Sequence, residues 1–283
     1  MRTRAVLQGL TFAAGLCLAL PALALDGTLK KIKDSGAATM GVRESSGGLS
    51  FTLGDGKFAG FHVELCQRAL ADVQKQLGMA KLDIRYQPVT SQNRIPLVQN
   101  GTVDIECGST TNNAARQKDV AFANTTYVEE VRIAVKGASG ITSIAQLNGK
   151  SVATTTGTTS VQLLRKHERA TGVDFKEVFG KDHADSFLLL ESGRADAFVM
   201  DGQILAGNIA KSKNPGDFKI VGEVLSVEPI AIMVRKDDPA FKKAVDDSLA
   251  AICLLYTSDA ADALPCVDLG GRLIIKKKNH NTS

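Results

Sequence analysis

Three arginines stand where they are better placed to bind an anion than to stabilise a local helix. Arg43 follows a predicted strand, Arg94 begins a predicted helix after the polar cap at residues 90–93, and Arg116 follows a Gly-Ser-Thr loop. A cation at a helix N-terminus opposes the helix dipole, whereas a guanidinium holds a carboxylate through two parallel hydrogen bonds. Asp201, at the end of a predicted strand, is an acid that can meet an ammonium group. Together they predict a site for a carboxylate ligand, although each arginine alone is better explained as a solvated surface residue.

Two turns rich in Ser, Thr and Gly follow predicted strands and lead into predicted helices. Residues 108–113 lead into 114–116, and residues 155–160 lead into 161–164. Backbone amides at a helix N-terminus, with small hydroxyls beside them, form a seat for a carboxylate, and ordinary helix capping is the alternative. Neither turn contains the Gly-Lys-Ser/Thr of a phosphate loop. His183, at the start of another predicted helix, is a further donor or a surface cap.

Catalytic and metal-binding arrangements have little support in the sequence. Ser109, His183 and Asp201 supply the residue types of a hydrolase triad, but no Gly-x-Ser-x-Gly elbow surrounds the serine. Glu44 and Glu106 are the only acids expected near a bound carboxylate, and neither has a base at orienting spacing. No His or Cys cluster has metal-ligand spacing. We therefore expect no metal, no cofactor and no enzymatic activity, with a dehydratase-like enzyme on the same fold as the alternative.

The elements that must position these residues form two similar units. Residues 95–107 and 187–200 each contain a helix end, a glycine stop, and an aspartate three residues later that leads into a strand. Alternating strands and helices predict parallel sheets, with ligands at the carboxyl ends of the strands. Strand-like crossings at residues 128–135 and 229–235 are expected to join the units. The individual predicted elements are strand 38–42, hairpin turn 54–57, helix 61–77 and strand 82–88 in the first unit, and strand 151–154, helix 160–171, strand 174–179 and helix 183–191 in the second.

The amino terminus has the pattern of a secretory signal peptide. Arg2 and Arg4 precede an apolar stretch at residues 5–20 that ends in Pro and small residues, so residues 1–24 are predicted to be removed. The stretch is shorter than the roughly 20 residues of a membrane span. The formal net charge is only +4, and residues 25–252 contain no Lys/Arg-rich run. We therefore expect an exported protein with no nucleic-acid partner.

The carboxyl terminus departs from the rest of the chain. From Cys253 onward the sequence breaks the pattern of a charged amphipathic helix that begins near Asp238. Residues 253–262 resemble the translation of a transposon-end sequencing adapter, and residues 267–272 resemble the flow-cell primer that follows it. We interpret residues 253–283 as adapter-derived, which predicts a fold without its native C-terminal part. A genuine divergent tail is the alternative.

The remaining cysteines are Cys66 and Cys107, because Cys17 lies in the signal segment and two others lie in the tail. In an oxidising compartment such an isolated pair can form a disulfide, and the separation between them is compatible with one. Two buried free thiols are the alternative, and the sequence does not decide between them.

Seven local motifs within residues 28–252 resemble one known group of proteins. The group is the periplasmic glutamate/aspartate-binding proteins of ATP-binding cassette importers, within the amino-acid-binding family (family 3) of type II solute-binding proteins. The motifs that carry the resemblance are residues 43–46, 90–97, 106–113, 157–160, 181–186, 191–195 and 235–239.

The resemblance implies an α/β fold with two lobes, each a mostly parallel sheet flanked by helices, that close on a small ligand. Lobe 1 would comprise residues 25–130 and 229–252, and lobe 2 residues 131–228. The implied protein is a periplasmic monomer that binds L-glutamate or L-aspartate and delivers it to a membrane permease. A receptor sensor domain is a third interpretation.

The resemblance also implies a set of ligand-binding residues. Arg116, with Ser109 and Thr111, would hold the α-carboxylate, Asp201 the ammonium, and Arg43, Arg94 and His183 the side-chain carboxylate. Gly202 stands where the family often has a second acid, so selectivity within this group is less defined. The full implied set is Arg43, Ser91, Arg94, Ser109, Thr111 and Arg116 from the first lobe and Thr155, Thr158, His183 and Asp201 from the second.

Overall fold

The protein is described by a computed structural model that covers residues 26–258, with side chains up to residue 252. The predicted signal segment, residues 1–24, and the tail beyond residue 258 lie outside the described residues. The helices are α1 (Gly27–Ser35), α2 (Phe61–Gln76), α3 (Arg94–Gln99), α4 (Thr159–Thr171), α5 (His183–Glu191), α6 (Gly202–Lys211) and α7 (Pro239–Ser258).

The strands of the described residues form one large sheet and one small sheet. The large sheet has the order β5-β1-β6-β11-β7-β10-β8-β9, and the small one is β2-β3-β4. The strands are β1 (Ala37–Val42), β2 (Ser45–Ser46), β3 (Ser50–Gly54), β4 (Lys57–Ala59), β5 (Asp83–Pro88), β6 (Ile105–Glu106), β7 (Val120–Lys136), β8 (Ser151–Thr155), β9 (Lys176–Gly180), β10 (Ala197–Asp201) and β11 (Phe218–Arg235).

The large sheet has a parallel part at each end and two long antiparallel strands in the middle. β1 pairs in parallel with β5 and β6, and β8 pairs in parallel with β9 and β10. β7 and β11 pair with each other and connect the two parts, which we call the first and second lobes. The expected α/β class with mostly parallel strands in each lobe is confirmed, with the crossing strands making the whole sheet mixed.

Each lobe has its own hydrophobic core. β1 is an almost continuously buried apolar strand, as expected for a strand covered on both faces. The predicted apolar positions of α2, Val63, Cys66, Leu70 and Val73, are all buried against it. In the second lobe, separate clusters cover the two faces of β8 and β10.

Cys66 and Cys107 form a disulfide with an S–S distance of 2.02 Å. It joins α2 to the residue that follows β6, so the carboxyl end of β6 is fixed beside the loop that begins at Gly108. Of the two alternatives that the sequence left open, the disulfide is the one the structure contains.

The predicted elements are present with small shifts at their ends, apart from the crossing strands, the last helix and the helix expected to begin at Ala114. The crossings at 128–135 and 229–235 are parts of much longer strands, because β7 and β11 supply each other with hydrogen-bond partners along both lobes. Helix α7 continues past Cys253 to Ser258, and the adapter origin of residues 253–283 stays a prediction.

Candidate functional site

A narrow, nearly closed cleft with a free volume of only about 10 Å³ lies between the two lobes. Eight of the ten predicted site residues line it, and Arg43 and Thr155 do not. Thr159 and Met200 line it as well. The complete lining is Ser91, Arg94, Ser109, Thr111, Arg116, Thr158, Thr159, His183, Met200 and Asp201.

Arg94 is the most deeply buried cation of this cleft. It is the first residue of α3 and only 2% exposed, and its Nε and Nη1 atoms have no hydrogen-bond partner among the described residues. Burial, and then the neighbouring charge of Arg116, lowers its pKa well below the ordinary value. A buried cation without a partner is costly, so this position favours an anionic ligand.

Arg116 spans the mouth of the cleft. Its Nη1 donates to the Thr111 carbonyl oxygen at 3.0 Å, and its Nη2 donates to the Gly157 carbonyl oxygen of the second lobe at 3.2 Å. The helix expected to begin at Ala114 is only a three-residue 3₁₀ turn, Arg116–Lys118, because β7 begins directly afterwards at Val120. That prediction was wrong, and anion binding on this side depends on the guanidinium and hydroxyls rather than on a helix dipole.

The loop before Arg116 is held by the crossing strand β11. Asn112 N donates to the Pro229 carbonyl at 2.8 Å, and Ala231 N donates to the Thr110 carbonyl at 3.1 Å. Ser109, on the same loop, donates from its Oγ to Ser46 Oγ at 3.0 Å. The loop is therefore fixed at the point where the chain crosses between the lobes.

The turn at residues 155–160 does open a helix, as predicted. Thr158 is the N-cap of α4 and makes no side-chain cap, since its Oγ1 donates to the Thr155 carbonyl at 2.7 Å. Thr159, the first residue of the helix, lines the cleft. The amides at the start of this 13-residue helix thus remain free of a side-chain cap and favour an anion.

His183 is a neutral, buried imidazole at the start of α5. It is 1% exposed, and burial together with the charge of Arg43 lowers its pKa to about 3. Its Nδ1 lies 3.0 Å from Thr155 Oγ1, while its Nε2 has no partner among the described residues. Thr155 therefore lies behind His183 and contacts it, rather than the cleft.

Asp201, the last residue of β10, faces the arginines across the cleft. Burial, reinforced by the charges of Glu129 and Glu228, raises its pKa to about 8, while Arg94 and Arg116 oppose this shift. An ammonium group placed here favours the ionised carboxylate.

Glu129 and Glu228 are two acids that the sequence analysis did not predict. Only Glu44 and Glu106 were expected near a bound carboxylate. Glu129 and Glu228 are direct cross-strand partners on β7 and β11, and both are more than nine-tenths buried. Burial raises the pKa of Glu129. Both crossing strands were predicted, but only the pairing register brings the two acids together beside Asp201.

Arg43 is not among the residues that line the cleft, and its Nη2 pairs with Asp182 of the second lobe. Burial acts to raise the pKa of Asp182, but Arg43 and His183 together outweigh it, so the pKa lies below the ordinary value. Ser45 Oγ donates to the same carboxylate at 3.0 Å and accepts from Ala184 N at 3.0 Å. The Nε and Nη1 atoms of Arg43 are buried without a hydrogen-bond partner among the described residues, so its role in ligand binding stays a prediction although an acid at the N-cap of α5 pairs with its Nη2.

The two lobes also touch beside the hairpin of the first lobe. Gly48 N donates to Gln203 Oε1 at 2.9 Å, and Asn208 Nδ2 donates to the Ser45 carbonyl at 3.4 Å. These contacts, with the Arg43 and Arg116 bridges, hold the cleft closed in this structure.

The geometry of a closed interlobe cleft agrees with comparisons with known proteins. Residues 38–254 match the sequence profile of "Bacterial extracellular solute-binding proteins, family 3". The chain belongs to this family. Its relatives include the "Glutamate/aspartate import solute-binding protein" of Escherichia coli K12, 44% identical over 86% of this chain and 81% of that protein. Another is the "L-glutamate/L-aspartate-binding protein" of Pseudomonas aeruginosa PAO1, 47% identical over 80% of this chain and 75% of that protein.

Solved structures of family 3 and related binding proteins share the fold. An arginine-bound Gly52Ala mutant of ArgBP from T. maritima matches with a TM-score of 0.70 and 26% identity, covering 79% of this chain and 99% of that one. A periplasmic binding protein from Brucella ovis with glutathione bound matches with a TM-score of 0.74 and 25% identity, covering 83% of this chain and 73% of that one. The type II periplasmic-binding-protein fold is thereby confirmed.

The described residues contain neither a metal-binding cluster nor a membrane-spanning helix. Within residues 26–258, no group of three or more His, Cys, Asp or Glu side chains is arranged to hold a metal ion. Among the described helices, none combines the length and the apolar character required to cross a membrane.

Proposed function

We propose that this protein binds L-glutamate or L-aspartate outside the cytoplasm and delivers it to the permease of an ATP-binding cassette importer. The observation that carries the proposal is the buried guanidinium of Arg94, which has unpartnered donors and faces an acid, Asp201, across the cleft between the lobes. Relatives named for glutamate and aspartate support the same ligand class.

The ligand groups match the charges around the cleft. Arg116, with Ser109 and Thr111, holds the α-carboxylate, and Asp201 holds the ammonium. Arg94 and His183 hold the side-chain carboxylate, to which a guanidinium binds with two hydrogen bonds. Ser91 and Thr158 complete the set, with Thr155 acting through its contact with His183 and Arg43 through its positive charge and its unpartnered Nε and Nη1.

We propose that the protein has two lobes that open and close around the ligand. Residues 25–130 and 229–252 form lobe 1, and residues 131–228 form lobe 2, with bending of β7 and β11 opening the cleft. The protein acts as a periplasmic monomer, exported by the segment at 1–24, and the closed form is the one that the permease recognises.

The contacts of the three triad-type residues favour binding over catalysis. Ser109 Oγ bonds Ser46 rather than His183, and the Nδ1 of His183 faces Thr155 rather than an acid. Ser109, His183 and Asp201 are therefore not joined in the order that nucleophilic catalysis requires. We propose a binding protein without enzymatic activity.

Replacing Arg94 tests the proposed function. We predict that Arg94→Ala weakens glutamate binding by about 100-fold or more, because truncating one partner of a buried charge pair costs several kcal/mol. The measurement is isothermal titration calorimetry with glutamate, aspartate and glutamine, together with analysis of the recovered ligand for chemical change.

Arg85→Ala is the matched control, since Arg85 is an exposed arginine on β5 paired only with Asp83. Its affinity for glutamate is expected to equal that of the wild type. Unchanged glutamate binding in Arg94→Ala, or conversion of the ligand by the wild type, contradicts the proposal.

A further inference from the structure

His183 ends a chain of buried hydroxyl groups in the second lobe. Its Nδ1 lies 3.0 Å from Thr155 Oγ1, which lies 2.8 Å from Ser186 Oγ. Ser186 Oγ in turn lies 3.0 Å from the Asp182 carbonyl oxygen and 3.2 Å from the Thr154 carbonyl oxygen. The imidazole and both hydroxyl residues are at most 1% exposed, so they must satisfy one another.

The number of hydrogen atoms that His183, Thr155 and Ser186 can donate limits which hydrogen bonds they form. His183 is neutral, because burial and then the charge of Arg43 lower its pKa to about 3, so the ring has a single N–H. Each hydroxyl has one hydrogen to donate. With the ring proton on Nδ1, His183 donates to Thr155, Thr155 donates to Ser186, and Ser186 donates to a carbonyl. All three contacts are then hydrogen bonds.

The opposite arrangement leaves one contact without a hydrogen. With the ring proton on Nε2, Thr155 must donate to Nδ1 of His183. Ser186 can then donate either to Thr155 or to a carbonyl, but not to both, so two oxygens face each other without a proton between them. Because an unmade buried hydrogen bond is unfavourable, the chain selects the Nδ1–H form.

We propose that Ser186 and Thr155 are positioning residues that hold His183 as its Nδ1–H tautomer and thereby set how the cleft distinguishes a carboxamide from a carboxylate. In this tautomer Nε2 is a hydrogen-bond acceptor, and His183 lines the cleft with that atom unpartnered among the described residues. A carboxamide N–H, as in glutamine, donates to Nε2 directly.

A carboxylate is an acceptor only, so it requires the hydroxyl chain to reverse. The ring proton leaves Nδ1 to solvent, a solvent proton binds Nε2, and Thr155 turns to donate to Nδ1, with no net gain of protons. Arg43 and Arg94 favour the carboxylate by charge, and Asp182 opposes it. The arginines therefore make the cleft prefer a carboxylate over a carboxamide, and the hydroxyl chain makes this preference smaller. This inference rests on the proposed function, which places the ligand side chain against His183.

The ligand-free protein tests the tautomer independently of any ligand. Thr155, His183 and Ser186 all belong to the second lobe, so the chain persists when the lobes open. We predict that ¹⁵N chemical shifts of ligand-free wild type at pH 7.5 show His183 as a neutral ring protonated on Nδ1. A ring protonated on Nε2 overturns the inference and leaves the proposed function untouched.

The variant Ser186→Ala tests the effect on selectivity. Without Ser186, the Thr155 hydroxyl has only Nδ1 of His183 as a described partner and can donate to it at no loss, so a carboxylate selects the form with the proton on Nε2 without breaking a hydrogen bond. Glutamate should then bind about fivefold more tightly and glutamine about fivefold more weakly, the equivalent of one hydrogen bond. Calorimetry measures the first affinity, and displacement of glutamate measures the second.

Ser248→Ala is the matched control, because Ser248 is another buried serine, on α7, whose hydroxyl donates to Asp72. It should leave both affinities unchanged. If Ser186→Ala weakens glutamate and glutamine by the same factor, Ser186 has only a structural role, and the inference fails.

Discussion

Asp201 gives the cleft a pH signature that can be measured on the ligand-free protein. Its pKa rises from 3.8 to about 8, so between these values the folded state keeps a proton that the unfolded chain has lost. Stability therefore falls as pH rises through this window. We predict that Asp201→Asn flattens this slope and increases the free energy of unfolding at pH 8 relative to wild type, as measured by urea denaturation.

Two buried histidines act in the opposite direction at lower pH. The pKa of His62 is lowered to about 4 and that of His183 to about 3, in both cases chiefly by burial. The two histidines contribute to the stability of the folded state above pH 6.5, the pKa of histidine in the unfolded chain. This contribution is lost as pH falls through their pKa values in the folded state. The informative quantity is therefore the difference between wild type and Asp201→Asn. A difference that does not change between pH 6.5 and 8 contradicts the role given to Asp201.

The residue types predicted much of the site, and spatial pairing decided the rest. Arg94, Arg116 and Asp201 could be selected because each was poorly placed for local stability or ended a strand. The pairing of Arg43 with Asp182 could not be predicted from the sequence, because the two residues meet only when the lobes close. The Glu129 and Glu228 pair depends on strand register, which no local spacing encodes.

The disulfide is the strongest single link between elements of the first lobe. It closes a separation of 41 residues, and restricting the unfolded chain over such a loop stabilises the fold by up to about 4 kcal/mol. We predict that dithiothreitol lowers the free energy of unfolding by that order. Guanidinium denaturation with and without reductant measures it, and the double variant Cys66→Ala/Cys107→Ala should lose the response to reductant. An unchanged midpoint in the reduced wild type contradicts this.

Element boundaries were predictable where a local signal ends the element. Helix α5 was predicted at its observed bounds because a polar cap precedes it and a glycine, Gly193, follows. The ends of β7 and β11 were not predictable, because these strands extend as far as each finds a partner in the other. The helix expected at Ala114 failed for a related reason, since the chain is drawn into β7 after one turn.

The approach of the two lobes depends on a glycine at the cleft mouth. Gly157 has φ +81°, and a Cβ there would lie 2.8 Å from the Ser91 carbonyl oxygen and the Gln92 Cα of the other lobe. We predict that Gly157→Ala holds the lobes apart and weakens glutamate binding by about tenfold or more, a loss of about 1.4 kcal/mol. Small-angle scattering should show a larger radius of gyration in the presence of glutamate than for wild type.

Gly172→Ala separates steric hindrance from backbone strain. Gly172 also has positive φ, at +74°, but a Cβ there has no neighbour within 4 Å. Both variants place an L-residue in the left-handed region, which costs roughly 1–2 kcal/mol, whereas only Gly157→Ala obstructs closure. Equal affinity losses in the two variants would show that strain rather than closure is responsible.

Acidic-ligand recognition by the whole molecule is tested most directly by titrating one wild-type preparation with L-glutamate and with L-arginine. Arginine is the demanding comparison, because a protein of the same fold binds it. The charges of Arg94, Arg116 and Asp201 predict saturable one-to-one heat with glutamate and none with arginine at the same concentrations. Tight binding of arginine without binding of glutamate would contradict the assignment of the cleft to an acidic amino acid.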